Sequence, residues 1–243
     1  MNRVLIVTPT YNEKDNVPLL LAGLDRHMPR ADILVVDDNS PDGTGDLVEQ
    51  LSRTRAQLHL LRRPGKQGLG TAYQEGFAWA FARDYERIVQ MDCDLSHAPE
   101  TVPALVVATE EADLALGSRY IPGGRTVGWP LSRKVLSRGA NFYARTMLRL
   151  PLRDMTTGFR CWRAPALRAL NPATLRANGY VFLVEAAYRA ACLGLRIREV
   201  PITFREREQG ASKMGLHIAR EGMLAVLRLA LAPRPKPQFS RGS

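Results

Sequence analysis

Five short apolar runs, at residues 4–7, 33–36, 58–61, 88–91 and 114–116, alternate with helix-like stretches through the first half of this 243-residue chain. Alternation of that kind is the signature of a parallel sheet with crossover helices. The runs are nearly continuous in apolar residues instead of switching with polar ones, as strands are when helices cover both faces of their sheet. Asn16 and Pro18 open one helix, residues 42–44 open a second ahead of Leu47, Val48 and Leu51, and 71–82 reads as a third. Residues 120–131 contain Pro122, Gly123, Gly124, Gly128 and Pro130, which predicts a loop and a candidate lid. Helices around 141–150 and 182–193 and a strand near 197–204 complete the pattern, with no internal repeat.

A chain of 243 residues can close one hydrophobic core, since cores tend to split only beyond roughly 250 residues. The formal charge of +10 favours partners that carry phosphate. Nucleic acid, anionic lipid headgroups and nucleotide diphosphates all satisfy it. Cys93, Cys161 and Cys192 have no C-x-x-C spacing and no neighbouring histidines, so they read as reduced thiols and not as a zinc site. The apolar run at 4–7 is too short for a signal peptide, and no stretch reaches the ~18 apolar residues of a membrane-spanning helix.

In open α/β sheets, ligands collect beyond the carboxyl ends of the strands. The polar segments at those ends are 10–13, 37–44, 92–97 and 117–119, which crowd acidic, hydroxyl and glycine residues onto one rim. Asp92 and Asp94 are two residues apart at a strand end and project to the same side, so both can face one cation. The same pair also suits a turn ahead of a helix opened by Ser96 and Pro99. Asp37 and Asp38 can accept donors from a base or ribose, although a loop of Asp, Asn, Ser, Pro and Gly is also what a tight strand-to-helix turn looks like. The glycine-rich run 65–70 lacks the Ser or Thr after Lys of an ATP-binding P-loop, and no dinucleotide fingerprint follows the first strand.

Taken together, Thr8-Pro9-Thr10-Tyr11-Asn12-Glu13, the 37–44 block, Gly68-Leu69-Gly70 and Asp92-Cys93-Asp94-Leu95-Ser96-His97 resemble glycosyltransferase family 2, and within it the polyprenol (dolichol) phosphate mannose synthases. The resemblance continues through Gly117-Ser118-Arg119, Ser132-Arg133 with Ser137, the stretch 154–160, and Arg207 with Gly210-Ala211-Ser212-Lys213. Cys93 and Ala211 depart from the family's usual residues, and neither removes a charged ligand.

The resemblance implies a GT-A-type, Rossmann-like, mostly parallel sheet with helices on both faces. It implies a nucleoside site at Pro9, Tyr11, Glu13, Asp37 and Asp38, and Mg²⁺ or Mn²⁺ on Asp92 and Asp94, with Cys93 between them against the donor. Arg207 and Lys213 would complete the grip on the diphosphate of GDP-mannose. Arg119, Arg133 and Ser137 would take the phosphate of a polyprenyl or dolichyl acceptor, since guanidinium forks suit phosphate oxygens. That phosphate is largely ionised at neutral pH, so direct displacement with inversion needs no general base, and His97 is left a supporting role. A sibling enzyme using another nucleotide sugar, such as UDP-glucose, is the nearest alternative. A basic nucleic-acid-binding protein is disfavoured because the acidic rim repels a phosphate backbone.

The expected organisation is a glycosyltransferase domain at 1–215, an amphipathic helix at 216–232 and a basic, disordered tail at 233–243. Residues 216–232 carry a wide apolar face, which suits a membrane interface as well as packing on a core. Peripheral attachment to the cytoplasmic face of a membrane follows, through surface binding, a small membrane-anchoring protein, or both.

Overall fold

The structure, a computed structural model, describes residues 3–177, 179–206 and 216–234, with only the backbone described over 216–221. In chain order the elements are β1 (Val4–Thr10), α1 (Asn16–His27), β2 (Asp32–Asp37), α2 (Thr44–Ser52), β3 (Leu58–Arg62), α3 (Leu69–Phe81) and β4 (Arg87–Gln90). They continue with α4 (Val102–Glu111), β5 (Leu114–Ser118), β6 (Arg125–Val127), α5 (Leu131–Leu148), β7 (Arg160–Arg163), α6 (Ala164–Leu170), α7 (Gly179–Cys192), β8 (Ile197–Pro201), β9 (Thr203–Arg205) and α8 (Leu216–Leu231).

Seven strands form one sheet in the order β3-β2-β1-β4-β7-β5-β8. All neighbours are parallel except β7, which runs antiparallel to both β4 and β5. The near-continuous apolar runs have a direct cause: successive residues of a strand point to opposite faces, and both faces are covered. Leu5 and Val7 of β1 enter one buried cluster with α3, α5, α6, α7 and α8, whereas Val4 and Ile6 enter the other with α1, α2 and α4.

The strand expected near 197–204 is two strands. It breaks at Ile202 because β8 pairs with β5 in the main sheet while β9 pairs with β6 in a separate ribbon. The segment expected to be a loop at 120–131 therefore contains a strand, and the helix expected from 141 begins ten residues earlier, at Leu131. β7 has no counterpart among the expected strands. Its four residues carry arginine at both ends, and Arg160 is nonetheless fully buried.

The ribbon is seated on the rim by backbone contacts. Arg125 N donates to Ile202 O, Arg205 N donates to Ser96 O, and His97 bridges to Phe204. Its entry turn leaves no room for a side chain: a Cβ on Gly124 would lie 2.4 Å from Ser118 O and 2.9 Å from the Arg119 carbonyl carbon. Backbone atoms cannot yield as a flexible side chain does. Gly124→Ala is expected to lower the unfolding free energy by about 1–3 kcal/mol, read from the urea midpoint; an unchanged midpoint would show that the ribbon shifts without cost.

Candidate active site

The strand order turns back at β1, which lies between β2 and β4, and this is the switch point where open α/β sheets hold their ligands. The ladder between β1 and β4 ends at Val7 and Gln90, whereas β1 pairs with β2 as far as Thr10 and Asp37. Pro9 thus stands beyond the β4 ladder, where its missing N–H costs no strand pairing on that side. The turns after β1, β2 and β4 each contain a non-glycine residue in the left-handed region: Asn12 at φ 61°, Asn39 at φ 55° and Leu95 at φ 59°. Asparagine tolerates this conformation, while leucine pays more for it.

The donor half of the rim is laced together by side chain to backbone bonds. Asn12 N donates to Ser40 Oγ, Glu13 N to Thr44 Oγ1 and Lys14 N to Asp42 Oδ2. Asp37 is fully buried and accepts from Thr10 Oγ1 at 2.9 Å, from Ser40 N at 3.0 Å and from Ser40 Oγ at 2.6 Å. Its carboxylate ties β1 to the 37–44 turn. Asp38 pairs with the buried Arg63 guanidinium, which also donates to Glu75 and Thr71. Burial raises the Asp38 carboxyl above its ordinary range against the pull of Arg63. Glu13 accepts from Asn16 Nδ2 at 2.6 Å. Tyr11 is exposed beside this wall, and Lys66 Nζ lies 4.0 Å from its ring centroid, so the glycine-rich 65–70 loop closes over the expected nucleoside position.

Asp92 and Asp94 follow β4 on the same rim. Tyr73 Oη donates to Asp92 Oδ1 at 3.3 Å, and Asp92 N donates to His97 Nδ1, which places the imidazole proton on Nε2. His97 is buried, stacked on Phe159 and edge-on to Phe204, in keeping with a supporting role. Asp94 Oδ1 accepts from Ser96 N at 3.0 Å. Cys93 points away into the core, and burial pushes its thiol well above the ordinary value, so it meets the rim through its backbone alone. Among the described residues no cluster of three or more Asp, Glu, His or Cys is placed to hold a metal. Two carboxylates at the mouth of a nucleotide crevice still fit a hard divalent cation, which commonly takes one or two protein carboxylates and fills its other positions with phosphate oxygens and water.

The residues expected to bind the acceptor phosphate lie across β7, around Trp129. Arg119 follows β5 and is buried. Its Nε and Nη2 donate to the two Asp154 oxygens at 2.7 Å each, its backbone N donates to Asp154 Oδ2, and Nη2 also reaches Thr156. Burial works against the guanidinium charge, and Asp154 outweighs it, holding Arg119 above its ordinary value. Arg133, in the first turn of α5, lies 4.0 Å over the Trp129 ring and pairs with Glu206 at 3.1 Å; Arg119 lies 5.3 Å from the same ring. Ser137 Oγ, one helical turn along, accepts from Tyr120 Oη at 2.6 Å. The three residues expected to bind phosphate are therefore gathered on one wall. Arg207 and Lys213 lie outside the described residues.

Several members of this constellation escaped the sequence reading. Trp129 was hidden inside a segment classed by its glycines and prolines, although an isolated tryptophan in such a loop was itself a signal. Tyr73, Arg63 and Asn141 carry no motif, because their contacts to the rim exist only after α3 and α5 pack. Asn141 donates to Ser137 O and Thr156 Oγ1 and accepts from Met155 N, fastening α5 to the 154–160 loop.

A mostly parallel seven-stranded sheet with helices on both faces and an acidic rim at its switch point is a fold of the GT-A type. Known proteins agree. The family model described as "Glycosyl transferase family 2" matches residues 5–170, and the chain belongs to that family. It is 48% identical over 232 residues to an undecaprenyl-phosphate mannosyltransferase of Micrococcus luteus, covering 96% of each chain. It is 43% identical over 234 residues to a polyprenol monophosphomannose synthase of Mycolicibacterium smegmatis, covering 96% of this chain and 88% of the relative. Among solved structures, a mannosyltransferase from Pyrobaculum calidifontis in complex with GDP-Man and Mn²⁺ aligns with TM-score 0.64 at 19% identity, covering 97% of this chain and 66% of that one. Glucosyl-3-phosphoglycerate synthase from Mycobacterium tuberculosis, in complex with Mn²⁺, UDP-Glc and phosphoglyceric acid, aligns with TM-score 0.68 at 18% identity, over 96% of this chain and 81% of that one.

The Arg119–Asp154 pair allows a stability test independent of activity. Removing one partner of a buried ion pair leaves the other uncompensated, which typically costs about 3–5 kcal/mol. Asp154→Ala is expected to lose that much unfolding free energy by urea titration, while Asp154→Leu with Arg119→Met recovers a large part. Wild-type stability in Asp154→Ala would remove the pair from its organising role.

Proposed function

We propose that this chain transfers mannose from GDP-mannose to the phosphate of a polyprenol, giving polyprenyl-phosphate mannose and GDP with inversion at the anomeric carbon. The observation that carries this reading is identity of 48% and 43%, over nearly the whole chain, to relatives named for mannosyl transfer onto polyprenyl phosphates. The split rim supplies the mechanism. The nucleoside lies along Pro9, Tyr11 and Glu13, against the turn ordered by Asp37 and Asp38, and the diphosphate faces Asp92, the Cys93 backbone and Asp94. Arg207 and Lys213 would add positive charge to the grip on the diphosphate. A divalent cation, Mg²⁺ or Mn²⁺, bound by Asp92 and Asp94 would offset the charge gathering on the leaving diphosphate.

The acceptor phosphate docks on Arg133 and Ser137, with Arg119 contributing Nη1, since its Nε and Nη2 are occupied by Asp154 and Thr156. One phosphate oxygen attacks the anomeric carbon as the bond from that carbon to the diphosphate oxygen breaks. No proton is transferred, because the nucleophile is already an anion. Trp129 holds the Arg133 guanidinium 4.0 Å from its ring centroid, which reduces the freedom lost when the phosphate binds.

Among the described residues no helix is long and apolar enough to cross a membrane. α5 presents Leu131, Val135 and Phe142 to solvent, and α8 presents Met223, Leu224, Leu227 and Leu231. The two helices pack together, with Tyr143 Oη donating to Met223 O, and α8 buries Val226 in the core. Peripheral contact through these helices on the cytoplasmic face is the mode of lipid access we propose.

Incubation with a panel of nucleotide sugars, a short polyprenyl phosphate and Mg²⁺ or Mn²⁺ should yield a mannolipid from GDP-mannose alone; a glucolipid from UDP-glucose would overturn the donor. Asp94→Ala should keep its fold and lose metal-dependent turnover. Arg133→Ala should leave GDP-mannose affinity nearly unchanged by calorimetry while lowering turnover at limiting acceptor by roughly ten- to two-hundred-fold, from a charged contact of about 1.5–3 kcal/mol. Lysine should rescue only part, since it keeps charge and loses the fork. Weakened donor binding in Arg133→Ala would move this residue to the donor site.

A further inference from the structure

A cavity of about 360 Å³ opens beside α5, lined by Tyr120, Arg138, Asn141, Phe142, Arg145 and Arg153. Tyr120 and Asn141 bond to Ser137, so it adjoins the wall proposed for the acceptor phosphate, but none of Arg119, Arg133 and Ser137 lines it. Its three guanidinium groups have no carboxylate partner among the described residues, whereas Arg119 and Arg133 on the neighbouring wall are each ion-paired. Three like charges around one hollow repel unless an anion joins them. Arg138 lies 5.7 Å from the Tyr120 ring and Arg145 5.6 Å from the Phe142 ring, so two of the three are backed by aromatic faces. The floor is rigid, because the Asn141 amide is committed to Ser137, Thr156 and Met155.

The surroundings indicate what kind of anion fits. Phe142 is exposed at the cavity and belongs to the helix that also exposes Leu131 and Val135. An occupant would thus place a phosphate among arginines and an apolar chain along α5. The volume falls in the range of about 300–1,000 Å³ typical of small-molecule sites. We propose that this cavity binds the phosphodiester headgroup of an anionic bilayer phospholipid, seating α5 in the interface and setting the acceptor wall at headgroup depth. The proposal rests on the membrane-contact part of the functional reading. It adds a lipid site beside the acceptor site, with Arg138, Arg145 and Arg153 as its anion ligands.

The test uses the full chain with dihexanoyl phosphatidylglycerol below its micellar concentration, with inorganic phosphate, and with vesicles of phosphatidylcholine with or without phosphatidylglycerol. The site triple is Arg138→Gln, Arg145→Gln and Arg153→Gln. The control triple, Arg26→Gln, Arg53→Gln and Arg196→Gln, removes equal charge elsewhere. Calorimetry should show dihexanoyl phosphatidylglycerol binding weakened about ten-fold by Arg145→Gln alone. Flotation with phosphatidylglycerol vesicles should collapse in the site triple and stay within about two-fold of wild type in the control, none of whose residues lines the cavity. Turnover of a water-soluble prenyl phosphate without any bilayer should be the same in wild type and site triple.

Equal loss in both triples would reduce the effect to diffuse charge and overturn the proposal. Inorganic phosphate binding as tightly as the lipid would make the cavity a phosphate-ion site, and lowered bilayer-free turnover in Arg145→Gln would assign it to the acceptor; either outcome overturns it. Arginine-dependent lipid binding in a protein that forms no mannolipid would support the cavity and sink the mannosyl-transfer reading, so the two failures are distinguishable.

Discussion

The buried ion pair between Arg119 and Asp154 is the interaction on which the rest of this site depends. Asp154 meets Arg119 through two guanidinium nitrogens and one backbone amide, while Glu199 on β8 accepts the backbone amides of Arg153 and Asp154. Thr156 and Asn141 extend the same network to α5. One carboxylate thus joins the end of β5, the loop entering β7 and the helix that carries Arg133 and Ser137. The energetic role of such a pair is to make one arrangement much better than its neighbours, since a well-packed apolar replacement can be as stable. What the charge adds here is a fixed cationic wall with one guanidinium edge still available to a ligand.

The donor half is organised by the opposite strategy. Its carboxylates are spent on orientation: Asp37 on Thr10 and Ser40, Asp42 on Lys14 and Thr44, Asp38 on Arg63. The left-handed residues Asn12, Asn39 and Leu95 let three strands turn sharply at one level. Strain of this type persists where surrounding contacts over-determine the backbone, and the bonds between the turns after β1 and β2 provide that. A rim built so tightly is ordered by its own side chains, and preorganisation of that kind reduces the ordering cost of binding any ligand.

The parallel part of the sheet was legible in the sequence because β1, β2, β4 and β5 bury both faces and so must be apolar throughout. β7 was not legible, because its charged ends are stabilised only by tertiary partners: Arg160 donates to the Met155 and Thr157 carbonyls and lies fully buried, a situation no local pattern announces. The start of α5 was missed because Ser132, Arg133, Lys134 and Ser137 fall between the loop expected at 120–131 and the helix expected from 141, in a stretch given no element. Asp92, Asp94, Arg119, Arg133 and Ser137 were singled out, and divided between metal and acceptor phosphate, by the resemblance alone. Their bonding partners needed the fold. The bonding of Asp37 within its own turn, and the neutralising of Asp38 by Arg63, are three-dimensional facts that residue type does not encode.

The backward strand β7 sets a ruler. Because it runs antiparallel between β4 and β5, the segment leading into it reaches the same rim that β4 and β5 leave, with Arg160 level with Gln90 on one side and Leu116 on the other. The ends of β4 and β5 are thereby held two strand spacings apart, about 9–10 Å. That span is set by main-chain hydrogen bonding and not by the side chains beyond Gln90 and Ser118. Loops on either bank can drift in sequence while the gap between the banks stays the same.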